Sequence, residues 1–218
     1  MNVIYDVPSA SQGFTANTTS FIQMEDGVNR HEPSRPCRRS YLGSASTHKT
    51  GNERGIAAAL FLEKCRNVDD VIQSIAKVPV SSSQTFIAAD PSGKIALIEC
   101  SSEHISTRAT PRAKNFLCSV NTFHLTTMDS RRETAAEGWF SERRYRTMRD
   151  SLIKGRIVDA FSAQKLLAGE HGFLCQYPQS TGKDTVWSVV YDLANRKIYR
   201  AEGNPQRRPF REDHRFPF

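Results

Sequence analysis

Phe116-Leu117-Cys118-Ser119-Val120-Asn121 and, twenty residues later, Ser141-Glu142-Arg143-Arg144-Tyr145 are the runs on which the fold and chemistry of this 218-residue chain turn. The first reads as a buried strand, Phe116 to Val120, with an amide side chain at its mouth. The second reads as a helix start capped by Ser141 that presents a guanidinium. Fixed N–H donors stabilise a developing oxyanion better than water does, because in a closed site they need not reorganise. Taken alone, Asn121 reads as a turn or cap residue, and Arg144 as a solvated helix residue or a partner for Glu142 or Asp150.

Downstream, Tyr145, Met148 and Leu152 fall on one helical face and Gly155 lies past the end. Ser162 opens a short helix closed by Gly169. Thr185–Leu193 and Lys197–Glu202 then read as strands paired across Ala194-Asn195-Arg196, followed by a basic tail. Upstream, Thr85–Ala89 and Ile95–Cys100 form a hairpin across Asp90-Pro91-Ser92-Gly93-Lys94, where proline presets φ and glycine supplies the left-handed position. Ile105–Arg108 is a shorter strand. Asn67 caps a helix with Asp70 in its first turn and Val71, Ile72 and Ile75 on its buried face, stopped by Pro79. Another helix runs from Gly55 to about Cys65. Strands are expected at Asn2–Val7 and Ala16–Met24, and Glu25-Asp26-Gly27-Val28-Asn29 reads as turn chemistry. Strands in hairpins outnumber helices, so the fold class is α+β, with antiparallel sheets and helices packed outside.

The length suits one domain, residues 1–218, around one core. No run of 18 apolar residues exists, so no bilayer span and no membrane partner is expected, and cytoplasmic residence is the default. Cys37, Cys65, Cys100, Cys118 and Cys175 show no CxxC spacing, which argues against a zinc site or disulfide framework; the last four sit in apolar settings as core residues. Cys37 lies among arginines. His124 and His171 are isolated, and no cofactor or metal is expected. The net charge of +7 is concentrated in residues 30–54 and the tail, without aromatic interleaving, so nucleic acid is not the expected partner. From Arg30 to Arg54 there are six Lys or Arg and two Pro with no strand alternation, so residues 30–58 read as a long basic surface loop or a disordered segment.

Several runs carry a resemblance: Ala16-Asn17-Thr18-Thr19-Ser20-Phe21, Met24-Glu25-Asp26-Gly27-Val28-Asn29, Leu62-Glu63-Lys64-Cys65, Ser82-Ser83-Gln84-Thr85, Val120-Asn121, Trp139-Phe140-Ser141-Glu142 with Arg144-Tyr145, Cys175-Gln176-Tyr177, Asp184-Thr185-Val186-Trp187-Ser188 and Ala201-Glu202-Gly203-Asn204-Pro205. In this order they resemble the penicillin acyltransferase-like, linear amide C–N hydrolases, which are related to choloylglycine hydrolases among the N-terminal-nucleophile hydrolases. The resemblance covers residues 1–29 and 60–218. It implies an αββα sandwich and a cysteine nucleophile exposed by self-cleavage, whose own α-amine is its base; the substrate is a small-molecule acyl amide. It also implies an oxyanion-stabilising role for Asn121 and an active-site role for Arg144.

Three departures qualify the resemblance. The family's nucleophilic cysteine and the R-N-x-D-like turn after it belong upstream of the strand at Asn2. The E-x-G-L-A-x-G-L strand expected after Asn29 is replaced by Arg30-His31-Glu32-Pro33-Ser34-Arg35-Pro36, as two compensating frame shifts would produce. The family's T-N-H-F reads Val120-Asn121-Thr122-Phe123, with histidine only at His124. The expectation is therefore a fragment, incomplete at its N-terminus and inactive alone, whose partner is the missing N-terminal segment. A non-catalytic remnant and a basic binding module are the alternatives.

Overall fold

The computed structural model describes residues 2–5, 14–20, 23–29, 41–46, 53–80, 83–110, 116–131, 140–178, 180 and 182–216. The expected features at Asp6, Val7, Pro8–Gly13, Phe21, Ile22, Cys37 and Ser82 lie outside the described residues. Two compact units result, Met1–Trp139 and Phe140–Phe218.

In the first unit, β1 (Asn2–Tyr5), β2 (Phe14–Ser20), β3 (Gln23–Asn29), β4 (Tyr41–Ser46), β5 (Gln84–Ala89), β6 (Ile95–Cys100) and β7 (Ile105–Thr110) pair antiparallel in chain order. Helices α1 (Glu53–Lys64) and α2 (Val68–Ile75) connect β4 to β5. The hairpin β5–β6 is apolar on both faces because its residues alternate between two clusters. Phe86, Ala88, Ala96, Ile98 and Cys100 pack with Phe61 and Leu62 of α1 and Val68, Val71 and Ile75 of α2. Phe61 meets Phe86 edge to face at 5.8 Å. Ile87 and Leu97 face the other way, against Leu117, Phe123, Leu125 and Met128. Each fully buried side chain of this size stabilises by about 1.5–3 kcal/mol, so the hairpin anchors both layers.

Polar groups fix where the helices sit. Asn67 caps α2 by accepting from the Asp70 amide, as expected. The Asp90 carboxylate accepts from the Val68 amide at 3.1 Å, tying the hairpin turn to the α2 N-terminus, where a negative charge is favoured. The buried Asn29 side chain donates to the carbonyls of Leu62 (2.8 Å) and Cys65 (2.9 Å), which the α1 C-terminus cannot satisfy internally.

Five expectations differ from the structure. Ala16–Met24, expected as one strand, is divided between β2 and β3, which pair antiparallel with each other. Glu25–Asn29 is not a turn but the second half of β3. Gly27 is there for proximity: a Cβ would lie 2.5 Å from the Thr15 carbonyl oxygen and 2.7 Å from Leu62 Cδ1. Residues 30–58, expected as loop or disorder, contain β4, which is hydrogen-bonded on both sides, to β3 and β5, and the start of α1. The run Tyr41-Leu42-Gly43-Ser44-Ala45-Ser46 has weak strand propensity, overridden by two ladder partners. Phe116–Val120 forms no strand, since among the described residues no neighbour supplies it a ladder. Ser141 is not the helix cap; it is the first residue of α3.

The second unit contains α3 (Ser141–Ile153), α4 (Ala160–Leu167), β8 (Trp187–Asp192), β9 (Lys197–Glu202) and β10 (Arg211–Glu212). Its sheet runs β10-β9-β8, so the tail contributes a strand. Asp159 and Ser162 form a capping box on α4. The buried Asn204 donates to the Cys175 carbonyl (2.7 Å) and to Asp184 (2.6 Å). Arg200 and Asp213, each 4% exposed at the side chain, pair at 2.8 Å, and Arg215 reaches the same carboxylate at 2.8 Å. Burial pushes the Asp213 carboxyl up, but N–H donation from Arg215 and Arg200 outweighs it and holds it well below the usual range. Among the described residues no helix is long and apolar enough to cross a membrane.

Gly27→Ala is expected to lower unfolding stability by about 1–3 kcal/mol in urea titrations, the usual cost of forcing an extra methyl into packed surroundings. Asp213→Asn leaves Arg200 buried without its counter-charge and is expected to cost about 3–5 kcal/mol. The folded carboxyl lies below its unfolded value of about 3.9, so the stabilisation is complete above that pH and is lost as pH falls through the folded value. Acid titration of stability should therefore be flatter below about pH 4 in Asp213→Asn than in the parent chain.

Candidate active site

Asn121 lies in the first unit, in the bend that follows the irregular stretch Phe116–Val120, and is half-buried. Its surroundings are firm. Cys118 and Val120 before it are buried, and Phe123 and Leu125 after it enter the apolar cluster on the second face of β5–β6. Glu99 of β6, only 1% exposed, turns its carboxylate to this loop. One oxygen accepts from the His124 amide at 2.7 Å and the other from the Leu125 amide at 2.9 Å. The His124 ring nitrogen Nδ1 lies 3.0 Å from the Thr122 carbonyl, closing the bend on itself.

Arg144 lies in the second unit, in the first turn of α3. Its Nη2 donates to the buried Ser141 hydroxyl at 3.3 Å. Burial pulls its pKa down, and the Tyr177 phenol partly restores it. Tyr177 itself is pushed up by burial and drawn back by Arg144. The helix is preceded by Phe140 with φ +51, a conformation costly for a bulky residue. Aromatic packing holds it there: ring centroids lie 5.2 Å from Phe173 and 6.3 Å from Tyr177. The Arg143 guanidinium lies over the Phe173 ring at 4.7 Å. The Gln176 side chain accepts from the Leu174 and Cys175 amides and donates to the carbonyls of Gly169 and Gly172, so it fixes the loop behind these rings. Phe140, Arg143, Phe173, Gln176 and Pro178 line a recess of about 300 Å³, suited to a flat apolar group.

The cysteines offer no activated thiol among the described residues. Cys65, Cys100, Cys118 and Cys175 are all buried. Burial pushes the Cys65 and Cys175 thiols up, and burial next to Glu99 pushes Cys100 up to about 12. A thiol that ionises so reluctantly is a poor nucleophile at neutral pH.

Residues 10–207 match the model of the family described as acyl-coenzyme A:6-aminopenicillanic acid acyl-transferase. The chain belongs to that family. No curated protein is significantly similar to it in sequence. The fold is similar to the solved structure of penicillin V acylase from Agrobacterium tumefaciens, with a TM-score of 0.53 and 12% identity, over 88% of this chain and 66% of that one. At that identity the likeness concerns the fold, and the chain spans just under two thirds of that relative's length. The bounds of the acyl-transferase family match enclose residues 30–58, where motif reading found no likeness.

Asn121 and Arg144 thus sit in different compact units, each in a well-packed setting of its own. Sequence reasoning missed Glu99, Phe140, Phe173, Gln176 and Tyr177 as builders of those settings. For Glu99 the signal was a charge inside the apolar run Ile95-Ala96-Leu97-Ile98-Glu99-Cys100, where a carboxylate survives only with donors around it. Alkylation of the native chain followed by peptide mass spectrometry is expected to leave Cys65, Cys100, Cys118 and Cys175 unmodified near neutral pH. All four should react once the chain is unfolded.

Proposed function

We propose that this chain carries the oxyanion-stabilising part of a cysteine amidohydrolase or acyltransferase that acts on linear amide C–N bonds of small acyl compounds. The family match over residues 10–207 carries the reading. The assembled fold would be the αββα sandwich of the N-terminal-nucleophile hydrolases, with residues 1–218 an incomplete single domain of it. Supporting this, the seven-stranded sheet is covered by α1 and α2 on one face and buries a second apolar cluster on the other.

In the proposed reaction a cysteine at a processed N-terminus loses its thiol proton to its own α-amine and attacks the amide carbonyl carbon. The carbonyl π pair moves onto oxygen, and the Asn121 side-chain amide donates to that oxyanion. Collapse breaks the C–N bond, and the departing amine takes the proton held by the α-amine. The resulting thioester passes its acyl group to water or to an acceptor amine. Arg144, cationic in a partly desolvated setting, draws negative charge on the substrate toward the site.

The thiol is proposed to come from sequence outside residues 1–218, on a longer product of the same gene or on a separate upstream segment. Support is chemical, because burial raises the Cys65, Cys100 and Cys175 thiols rather than activating them. Penicillin V, the compound named for the structural relative, is the first probe substrate. The 218-residue chain alone is expected to release no amine, whereas the chain supplied with its upstream segment is expected to release it and to carry an acyl group on the N-terminal cysteine. In that active form Asn121→Ala should lower kcat by about 10²–10³-fold, the usual loss for one oxyanion donor. Turnover by the chain alone through one of its own sulfurs overturns the placement of the thiol, and parent kcat in Asn121→Ala overturns the oxyanion role.

A further inference from the structure

We propose that Glu99 is a positioning residue for Asn121, holding its side-chain amide where the oxyanion forms. The inference rests on the oxyanion role given to Asn121 above.

Glu99 occupies a position on β6 where the register puts Thr85 of β5 on one side and Ser106 of β7 on the other. Its neighbour on the same face is Leu97, which belongs to an apolar cluster with Phe123 and Leu125. A carboxylate at 1% exposure in such a place is costly unless donors meet both oxygens. Here the donors are two consecutive backbone amides, His124 at 2.7 Å and Leu125 at 2.9 Å. Two bonds to adjacent peptides fix the orientation of the chain as well as its distance, and they are charge-assisted. The pinned residues come three and four places after Asn121, with the Thr122 carbonyl and the His124 ring closing the bend between them.

Apolar burial and directional hydrogen bonds do different work in this segment. Phe116–Val120 has no sheet neighbour among the described residues, so the backbone that delivers Asn121 is not located by a ladder. Apolar packing of Phe123 and Leu125 gives the loop depth against the hairpin but little directional control. The two bonds to Glu99 add direction. An error of about 1 Å in a catalytic donor is enough to cost 10²-fold in rate, so a clamp of this kind matters to chemistry as well as to folding.

Amide hydrogen exchange of the parent chain tests the clamp without a mutation: His124 and Leu125 should exchange at least about 100-fold more slowly than exposed loop amides. In Glu99→Gln, which keeps the shape but offers one acceptor instead of two, protection at those two amides should fall by about 10-fold or more while the β5 and β6 amides stay protected. The Asn121 side-chain amide resonances should shift with them. If Glu99→Gln does not fold, Glu99→Asp, which keeps the charge but falls short of both donors, takes its place in the same measurement. In the active form, Glu99→Gln should lower kcat about 10–100-fold at unchanged KM and add little to the loss in Asn121→Ala. Unchanged exchange at His124 and Leu125, or kcat losses that multiply independently with Asn121→Ala, would overturn the inference. Parent-like kcat in Asn121→Ala instead removes the oxyanion reading, and the exchange and side-chain resonances then decide by themselves whether Glu99 orients Asn121.

Discussion

Burial of the β5–β6 hairpin on both faces is the constraint from which the first unit follows. Alternate residues of the same two strands must satisfy two different apolar layers, Phe86, Ala88, Ala96, Ile98 and Cys100 toward the helices and Ile87 and Leu97 toward the loop at 117–128. A sheet so placed has no solvated face at its centre, so any polar side chain there needs a partner supplied by the fold. Glu99 finds two backbone amides. Asn29, on β3, finds the open end of α1. These buried polar contacts turn nonspecific apolar layers into one arrangement, because sliding the loop or the helix would strand a group that cannot reach water.

The helix α2, the hairpin β5–β6 and the pair β8–β9 were legible in the sequence because each signals itself locally. Asn67 with Asp70, the Asp90–Lys94 turn and the β-rich runs need no distant information. What escaped reading depends on contacts between remote residues. Asp26-Gly27 has the chemistry of a turn and the place of a strand, since Leu62, thirty-five positions away, needs the space a side chain would take. Tyr41–Ser46 is a strand because β3 and β5 both pair with it, and nothing within its own six residues says so. Phe116–Val120 errs the other way, with strand composition and no ladder among the described residues.

The candidate site divides along the same line. Asn121 and Arg144 could be singled out because they fall in recognisable runs, yet their environments could not. Burial lowers the Arg144 pKa while Tyr177, thirty-three residues later, partly restores it, and the positive φ of Phe140 is tolerated through rings at Phe173 and Tyr177. The cysteines were legible as core from their apolar neighbours, and Cys100 makes the reason physical, since its own strand neighbour Glu99 adds a second penalty on the thiolate.

Glu99 touches two neighbours in different ways. Its carboxylate adds to the burial that disfavours negative charge on the adjacent Cys100, while the same oxygens grip the backbone that follows Asn121. A buried negative charge would also oppose an oxyanion if it faced one directly, with a strength that falls as its own donors absorb it. Two N–H groups turned toward Glu99 do this, and they spend on it the only hydrogen each can give. Asn121 shares its bend with the Thr122 hydroxyl and the His124 ring, and the backbone just beyond it is the part that the Glu99 carboxylate holds.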